Sequence, residues 1–367
     1  MLTPFDDYTI HQTSLPIAQA GGGHPDHYDR FWFNGYTEDM YFAVALGTYP
    51  NRGVIDAAFS VVHNGTQRSV YASGALPLDR TQTRIGPITV EIVEPLRTSR
   101  VIVDAPDHGL EADLTFHART AAHEEPRQTM WAEDRLIMDV VRMTQLGSYS
   151  GSLSSGGASI PIDGATTVYG TKDRSWGIRP VGHPAPANRV PQLFFLWAPL
   201  NFADECVHYI VFEDAEGVPW SSGAAILPVI GASDDVYGPG TEGRPISAAH
   251  AVDWAPGLRR SRGAALTITE RGGEPQRIDL EPMVTFRMKG VGYMHSQYGH
   301  GIWHGGEVVA GEEHTVEDLD TMAFDCLHVQ QVMRATWGDR AGLGVLEQMV
   351  IGPHAPSGFR DFLDGAA

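Results

Sequence analysis

Residues of alternating polarity recur along the chain at period two, and this constrains the fold more than any other feature. Ile88, Val90 and Ile92 alternate with Thr89, Glu91 and Val93; Ala112, Leu114 and Phe116 with Asp113 and Thr115; Val284, Phe286 and Met288 with Thr285, Arg287 and Lys289. A β-strand turns successive side chains to opposite faces, so such runs read as strands with one face in a core. Further strands are expected at 40–46, 68–74, 100–104, 193–200, 207–213, 264–270 and 343–351, most bounded by Gly, Pro, Asn or Asp. The 41 glycines and 24 prolines are spread along the whole chain, which favours many short strands and turns. The expectation is an all-β protein of antiparallel sandwiches or barrels with few helices. Residues 315–331 open with Thr-x-x-Asp, a helix-start pattern, although 329–335 also reads as a strand. At 367 residues the length suggests two domains, and two stretches are suitable joints: the Gly/Ser-rich 147–165, which also fits a hairpin loop, and the Pro-rich 180–191.

Charge and composition exclude several classes. A net charge of −19 speaks against a phosphate-backbone binder, which needs clustered cations, so no nucleic-acid partner is expected. No apolar run reaches the roughly 18 residues of a membrane helix, and the start of the chain lacks a basic segment followed by an apolar one. A cytoplasmic location without stable membrane insertion is expected. Cys206 and Cys326 are too few for a disulfide framework or a Cys-based zinc site. Gly-x-Gly at 290–292 and 342–344 lacks a βαβ setting, and no hydrolase elbow or phosphate loop occurs, so no cofactor is expected.

Three clusters and one strand could carry chemistry. The first is Tyr28–Tyr36, dense in aromatics and ending at Asn34-Gly35-Tyr36. Core packing with a turn at Asn34-Gly35 explains it, and so does a ring-lined wall for an apolar ligand, with Trp32, Asn34 and Tyr36 toward that ligand. The second is Tyr169–Gly177. On a strand Tyr169, Thr171, Asp173 and Ser175 share one face, and a buried Asp173 needs a partner or a shifted pKa. Asp173 therefore reads as an acid catalyst or as half of an ion pair with Arg174, beside Trp176. The third, Lys289–Gly305, brings Tyr293, His295, His300, Trp303 and His304 into a Gly-rich segment. Its three histidines invite a metal reading, but polar and proton-transfer roles around an apolar pocket suit the spacing better. The only two lysines, Lys172 and Lys289, fall in these last two clusters; a Schiff-base role would need a buried amine. Finally, Glu347 interrupts the apolar strand 343–351.

In order, Arg30-Phe-Trp-Phe-Asn-Gly-Tyr36, Gly170-Thr-Lys-Asp-Arg-Ser-Trp-Gly177, Phe194-Phe-Leu-Trp-Ala-Pro-Leu-Asn-Phe-Ala-Asp204 and Tyr209-Ile-Val-Phe-Glu-Asp-Ala-Glu-Gly217 resemble the motifs of the AttH-like superfamily that includes carotenoid hydratase (hydroxyneurosporene synthase). The resemblance spans roughly 28–217 by motif order and extends weakly to the C-terminus. It implies two tandem lipocalin-like antiparallel β-barrel or sandwich halves, here 1–180 and 181–367, with a hydrophobic ligand site near their junction. It also implies that Asp173 aligns with the aspartate that protonates an isolated double bond in the hydratases. Arg174 stands where the family often has His, and Thr171 where it has an aromatic, which makes this chain a distinct branch.

Together these features predict a cofactor-independent lyase of hydratase or dehydratase type, or an isomerase, acting on an isoprenoid, steroid-like or aromatic compound. Asp173, Tyr293, His295, His300 and Glu347 are the catalytic candidates. Trp32, Asn34, Tyr36, Tyr169, Arg174, Trp176, Trp197, Trp303 and His304 are the substrate-binding ones. The alternatives are a carrier of a lipophilic ligand, whose pocket would lack a buried carboxylate, and a metal enzyme built on His295, His300 and His304. The partner expected is a hydrophobic small molecule, and a homodimer is compatible with the sequence.

Overall fold

The computed structural model describes residues 2–11, 14, 23–79, 81–132, 134–183 and 192–367. Among them no helix reaches seven residues, and strands make up the protein. The first thirteen are β1 (His27–Tyr36), β2 (Met40–Tyr49), β3 (Val54–His63), β4 (Thr66–Ala75), β5 (Arg84–Ile85), β6 (Ile88–Glu94), β7 (Thr98–Ala105), β8 (Leu110–Ala118), β9 (His123–Glu124), β10 (Gln128–Ala132), β11 (Arg135–Ser155), β12 (Ala158–Ile160) and β13 (Tyr169–Ile178). They are followed by β14 (Leu193–Asn201), β15 (Glu205–Glu213), β16 (Pro219–Pro228), β17 (Arg244–Trp254), β18 (Ser261–Glu270), β19 (Gln276–Arg287), β20 (Val308–Thr315), β21 (Val329–Trp337) and β22 (Arg340–Ile351).

Two lipocalin-like sheets result. One has fourteen strands in the order β20-β4-β3-β2-β1-β13-β11-β8-β7-β6-β5, with β9, β10 and β12 added to β11, and curls into a half-barrel. In the other, β14 to β19, β21 and β22 close into an eight-stranded antiparallel barrel. The connection from β19 to β21 leaves the barrel and places β20 against β4, tying the two sheets together.

Alternation explains the cores. In β1, Phe31 and Phe33 enter the concave core of the half-barrel with Phe42, Phe59 and Phe116. The other parity, Trp32 and Tyr36, joins Tyr41, Ala43 and Ala45 on the convex side, packed against Phe195, Trp197, Phe212, Phe286 and Val345 of the barrel. Every residue of β1 and β2 is therefore buried, so neither strand turns a face to solvent. The barrel's interior is a separate cluster around Phe194, Leu196, Val207, Leu266, Met333 and Leu346.

Several expectations are refined. Asn34-Gly35 lies within β1, and the chain turns at 37–39 instead. Residues 147–165 form the end of β11, a tight turn at Gly156-Gly157 with both φ positive, and β12; this is the hairpin alternative. Residues 315–331 form no α-helix: β20 ends at Thr315, short 3-10 turns occupy Val316–Asp318 and Phe324–Cys326, and 329–335 belong to β21. Cys326, Leu327 and Val329 at the end of this segment are buried while Phe324 stays exposed, and the pairing of β21 in the barrel outweighs a weak local start signal. Residues 184–191 of the Pro-rich stretch lie outside the described residues.

Gly35, Gly170 and Gly147 are directly opposed across β1, β13 and β11. A Cβ at Gly35 would sit 2.2 Å from the Phe42 ring, at Gly147 2.2 Å from Phe116, and at Gly170 2.0 Å from the Asn34 carbonyl and 2.6 Å from Tyr149. Phe42, Tyr149 and Phe116 meet edge to face over this glycine row, at 4.9 and 5.5 Å between centroids. The rings fill the space that side chains would take, as aromatic cover of strand glycines does. We expect Gly170→Ala to lower the unfolding free energy by about 2 kcal/mol or more, in the range of overpacked cores, as read by chemical denaturation.

Candidate functional site

The convex faces that pack together carry polar groups as well as rings. Trp32 is opposite Asp173, and Asp173 opposite Thr144; Arg30 is opposite Ser175, and Ser175 opposite Arg142. The barrel contributes Trp197 from β14, opposed in register to Glu347 of β22, and the segment after β19 adds Met288 and Tyr293. Arg30, Trp32, Arg142, Asp173, Ser175, Trp197, Met288, Tyr293 and Glu347 enclose a cavity of about 20 Å³. That is room for about one water molecule, and the lining is polar enough to hold it.

Asp173 is only 6% exposed, with Arg142 Nε 3.0 Å from its Oδ2 in an ion pair not aligned as a hydrogen bond. Burial pushes its carboxyl up to about 7 against the pull of Arg142, with Glu125 and Glu347 adding to the rise. The opposite holds on the other side of Arg142, whose Nη1 lies 3.7 Å from Glu125 Oε2. Burial opposes ionisation of Glu125, yet Arg142 and His208, with hydrogen bonds from His208 and Thr144, hold it at about 2. His208 Nε2, Thr144 Oγ1 and Trp197 Nε1 donate to Glu125 Oε1 at 2.9, 2.7 and 3.0 Å. Glu125 thus fixes both Arg142 and the Trp197 ring. Two neighbouring carboxyls with separated pKa values form an arrangement suited to proton transfer.

Glu347 is held from behind. His328 Nε2 donates to its Oε1 at 2.5 Å and Gln330 Nε2 to its Oε2 at 2.7 Å. Gln330 in turn accepts from Asn34 Nδ2 at 2.8 Å and from the Tyr41 hydroxyl. The Tyr293 hydroxyl accepts from Arg30 Nη1 at 2.8 Å, and its ring meets His300 and His328 edge to face at 4.7 and 4.8 Å. Burial pushes the Tyr293 hydroxyl up. Trp32 Nε1, buried at the cavity, has no hydrogen-bond partner.

The cavity therefore gathers Asp173, Tyr293, Glu347, Trp32 and Trp197. Asn34 stands one hydrogen bond behind Glu347's partner and also accepts from Thr171 at 2.7 Å. Tyr36 accepts from Asn201 at 3.1 Å, and Tyr169 lies under the Arg119 guanidinium at 4.8 Å, both at the sheet contact but not lining the cavity. Arg174 and Trp176 have the other parity of β13 and face the concave side. There Arg174 pairs with Asp29 at 2.5 Å, Trp176 stacks on His11 at 3.7 Å, and Lys172 pairs with Asp7 at 2.5 Å. The partner of Asp173 is Arg142 rather than Arg174.

The three histidines separate. His295 donates to Glu312 at 3.1 Å, His300 lies 3.8 Å from Asp56, and His304 sits 5.8 Å from the Tyr298 ring. His300 touches Tyr293 from behind, and burial lowers its pKa to about 4. Trp303 is half exposed. Among the described residues no three His, Cys, Asp or Glu side chains converge as a ligand set.

Arg142, Glu125, His208, His328 and Gln330 were not singled out by sequence reasoning. Only His328 and Gln330 carried a local signal, as polar residues set among Leu327, Val329, Val332 and Met333. Arg142 and Glu125 acquire their roles from partners 31 and 83 positions away.

Comparison with known proteins is consistent with this architecture. Residues 2–360 match the model of a family described as "Family of unknown function (DUF8625)". No curated protein matches the sequence. Among solved structures, a Nitrosomonas europaea protein named as a candidate AttH superposes with a TM-score of 0.54 at 12% identity, covering 93% of this chain and 98% of that one. At that identity the likeness is one of fold. Transferrin binding protein B of Neisseria meningitidis, with a TM-score of 0.13 at 7% identity over 84% of this chain and 66% of its own, supports no comparison. No helix of the described residues is long and apolar enough to cross a membrane.

The raised Asp173 pKa has a measurable consequence for stability. The unfolded carboxyl titrates near 3.8 and the folded one near 7, so between these values the folded state keeps a proton that the unfolded state has lost. This contribution is fully present below pH 4 and is lost as pH rises toward 7. The folding constant of the wild type relative to Asp173→Asn should fall about tenfold per pH unit across that window, measured by chemical denaturation of both proteins.

Proposed function

The chain belongs to the DUF8625 family and has an AttH-like fold, and from that premise we propose that it is a cofactor-independent lyase of hydratase or dehydratase type acting on a hydrophobic small molecule, such as an isoprenoid, a steroid-like or an aromatic compound. The observation that carries this reading is Asp173: a buried carboxyl with its pKa at about 7, lining a water-sized cavity with Glu347, Tyr293 and the rings of Trp32 and Trp197. An acid poised near the working pH is the most effective proton donor.

In the hydration direction, protonated Asp173 delivers its proton to one carbon of an isolated double bond. The π pair forms the new C–H bond and leaves a cation on the other carbon, which the indole faces of Trp32 and Trp197 stabilise. Water adds through its oxygen, and its surplus proton passes to Glu347. Glu347, held by His328 and Gln330, then releases that proton to solvent while Asp173 regains one. Elimination of water is the same sequence reversed. Arg30 fixes the Tyr293 hydroxyl at the cavity, where it orients the water.

The cavity holds about one water and not a substrate, so the substrate is admitted by displacement of the segment that closes it. Residues 288–306 contribute Met288 and Tyr293 and include Gly292, Gly301 and Gly305 at φ of 92°, 72° and 81°, backbone suited to a moving loop. A carrier would line its site with apolar groups alone, and Asp173 with Glu347 speaks for chemistry instead.

The test is proton delivery to carbon. Wild-type protein incubated in deuterium oxide with acyclic isoprenoid alkenes, steroid alkenes and styrenes should incorporate deuterium at an alkene carbon and form the corresponding alcohol. Asp173→Asn should lose about 10²-fold or more of that rate. The wild-type kcat/KM should fall above pH 7 as Asp173 ionises. Turnover retained by Asp173→Asn refutes the assignment.

A further inference from the structure

A second charged group is buried away from this cavity, and its charge is uncompensated. Arg287 ends β19 at 1% exposure. Its Nε and Nη1 have no hydrogen-bond partner, and among the described residues it pairs with no carboxylate and stacks on no ring. Each other deeply buried arginine is matched: Arg174 with Asp29, Arg142 with Asp173 and Glu125, Arg259 with Asp364 and four carbonyl contacts, and Arg30 with two tyrosine hydroxyls. A guanidinium stays protonated in proteins, so it must find an anion or carry the full cost of desolvation.

The surroundings of Arg287 are basic and polar. Arg287 feels the like charge of Arg260, a half-buried arginine that has no acidic partner among the described residues, and lies near the Cys326 thiol. In the strand pairing Thr285 is opposite Gln331 and Arg287 opposite Val329. Ser261 Oγ and Gln348 Nε2 both donate to Gln331 Oε1 at 2.6 Å, and Gln331 Nε2 donates to Thr285 Oγ1 at 3.3 Å. This row holds its own hydrogen bonds and leaves the Arg287 donors unused. Arg260, Ser261, Arg262, Thr285 and Gln331 line a groove of about 480 Å³ that opens to solvent, together with the carboxylates Asp39 and Glu317; Arg287 is not itself in the lining and follows two positions after Thr285 on β19.

We propose that Arg287 and Arg260 form an oxyanion-binding site, taking a phosphate or a carboxylate through the groove between the barrel and the half-barrel. Two guanidinium forks match either ion, and burial makes the charge-assisted hydrogen bonds strong. The site lies on the barrel side of the sheet contact and shares no lining residue with the Asp173 cavity, so it does not depend on the lyase reading.

Thermal unfolding in rising inorganic phosphate, with chloride keeping ionic strength constant, tests this. Phosphate should raise the wild-type midpoint saturably, and acetate run in parallel distinguishes a phosphate site from a carboxylate site. Arg287→Met keeps the volume and removes the charge: it should start with a higher midpoint than the wild type in chloride alone and show no saturable response. Should that variant fail to fold, Arg260→Ala, altered where the chain is half exposed, should bind about tenfold more weakly. No saturable response to either anion, an equal response in Arg287→Met, or an unchanged affinity in Arg260→Ala would overturn the proposal.

Discussion

Arg142 is the pivot of the sheet contact. Its guanidinium faces Asp173 on one side and Glu125 on the other, in a layer walled by the aromatic convex faces of both sheets. A single cation near two buried carboxyls cannot satisfy them equally. The one with the richer set of hydrogen bonds, Glu125, stays ionised, and the one with fewer, Asp173, keeps a proton to about pH 7. The unequal division has two causes: Glu125 has His208 beside it as well as Arg142 and accepts hydrogen bonds from His208, Thr144 and Trp197, whereas Asp173 has only the Arg142 ion pair and feels the charges of Glu125 and Glu347. The same packing that holds the sheets together therefore creates the group with the most reactive protonation equilibrium in the cavity.

A second layer of charge lies on the concave side of the half-barrel, one parity away along β13. Lys172 with Asp7 and Arg174 with Asp29 are fully buried pairs, and residues 2–11 supply Asp7, the Tyr8 carbonyl and His11 to them. Strands β1 and β13 consequently carry ions on both faces, and each face needs a cover: the N-terminal segment on one side, the barrel on the other. Removing a partner from either layer leaves a buried charge unmatched, which costs more than the pair contributes. The part of the Asp173 cavity lining that comes from β1, β11 and β13 is held from both faces for this reason.

Much of the architecture was legible in the chain. Period-two runs such as Ala112, Leu114 and Phe116, and turn residues between them, specify antiparallel strands because a strand must alternate its faces. The shared face of Tyr169, Thr171, Asp173 and Ser175 was also legible, but the ion-pair reading joined Asp173 to Arg174, which lies on the other face and pairs with Asp29. Asn34-Gly35 misled as a turn because the space above Gly35 is filled by Phe42, a neighbour only after β1 and β2 pair. Glu347 stood out as a charge in an apolar strand. Glu125 did not, since His-Glu-Glu-Pro in a connecting segment resembles any exposed acidic loop.

From the residues alone comes the class of structure: alternation and glycine and proline placement act locally and specify strands and turns of an antiparallel all-β protein, while the two lipocalin-like halves were implied only by the family resemblance. Which buried groups meet depends on the packing of the two sheets. Arg142 and Asp173 are 31 positions apart, Glu125 and His208 are 83, and Asn34 and Gln330 are 296. Their pairing depends on how one curled sheet seats against a closed barrel. Desolvation and Coulomb energies are set by these distances in space, so the pKa of Asp173 and the unmatched charge of Arg287 arise only when the sheets come together.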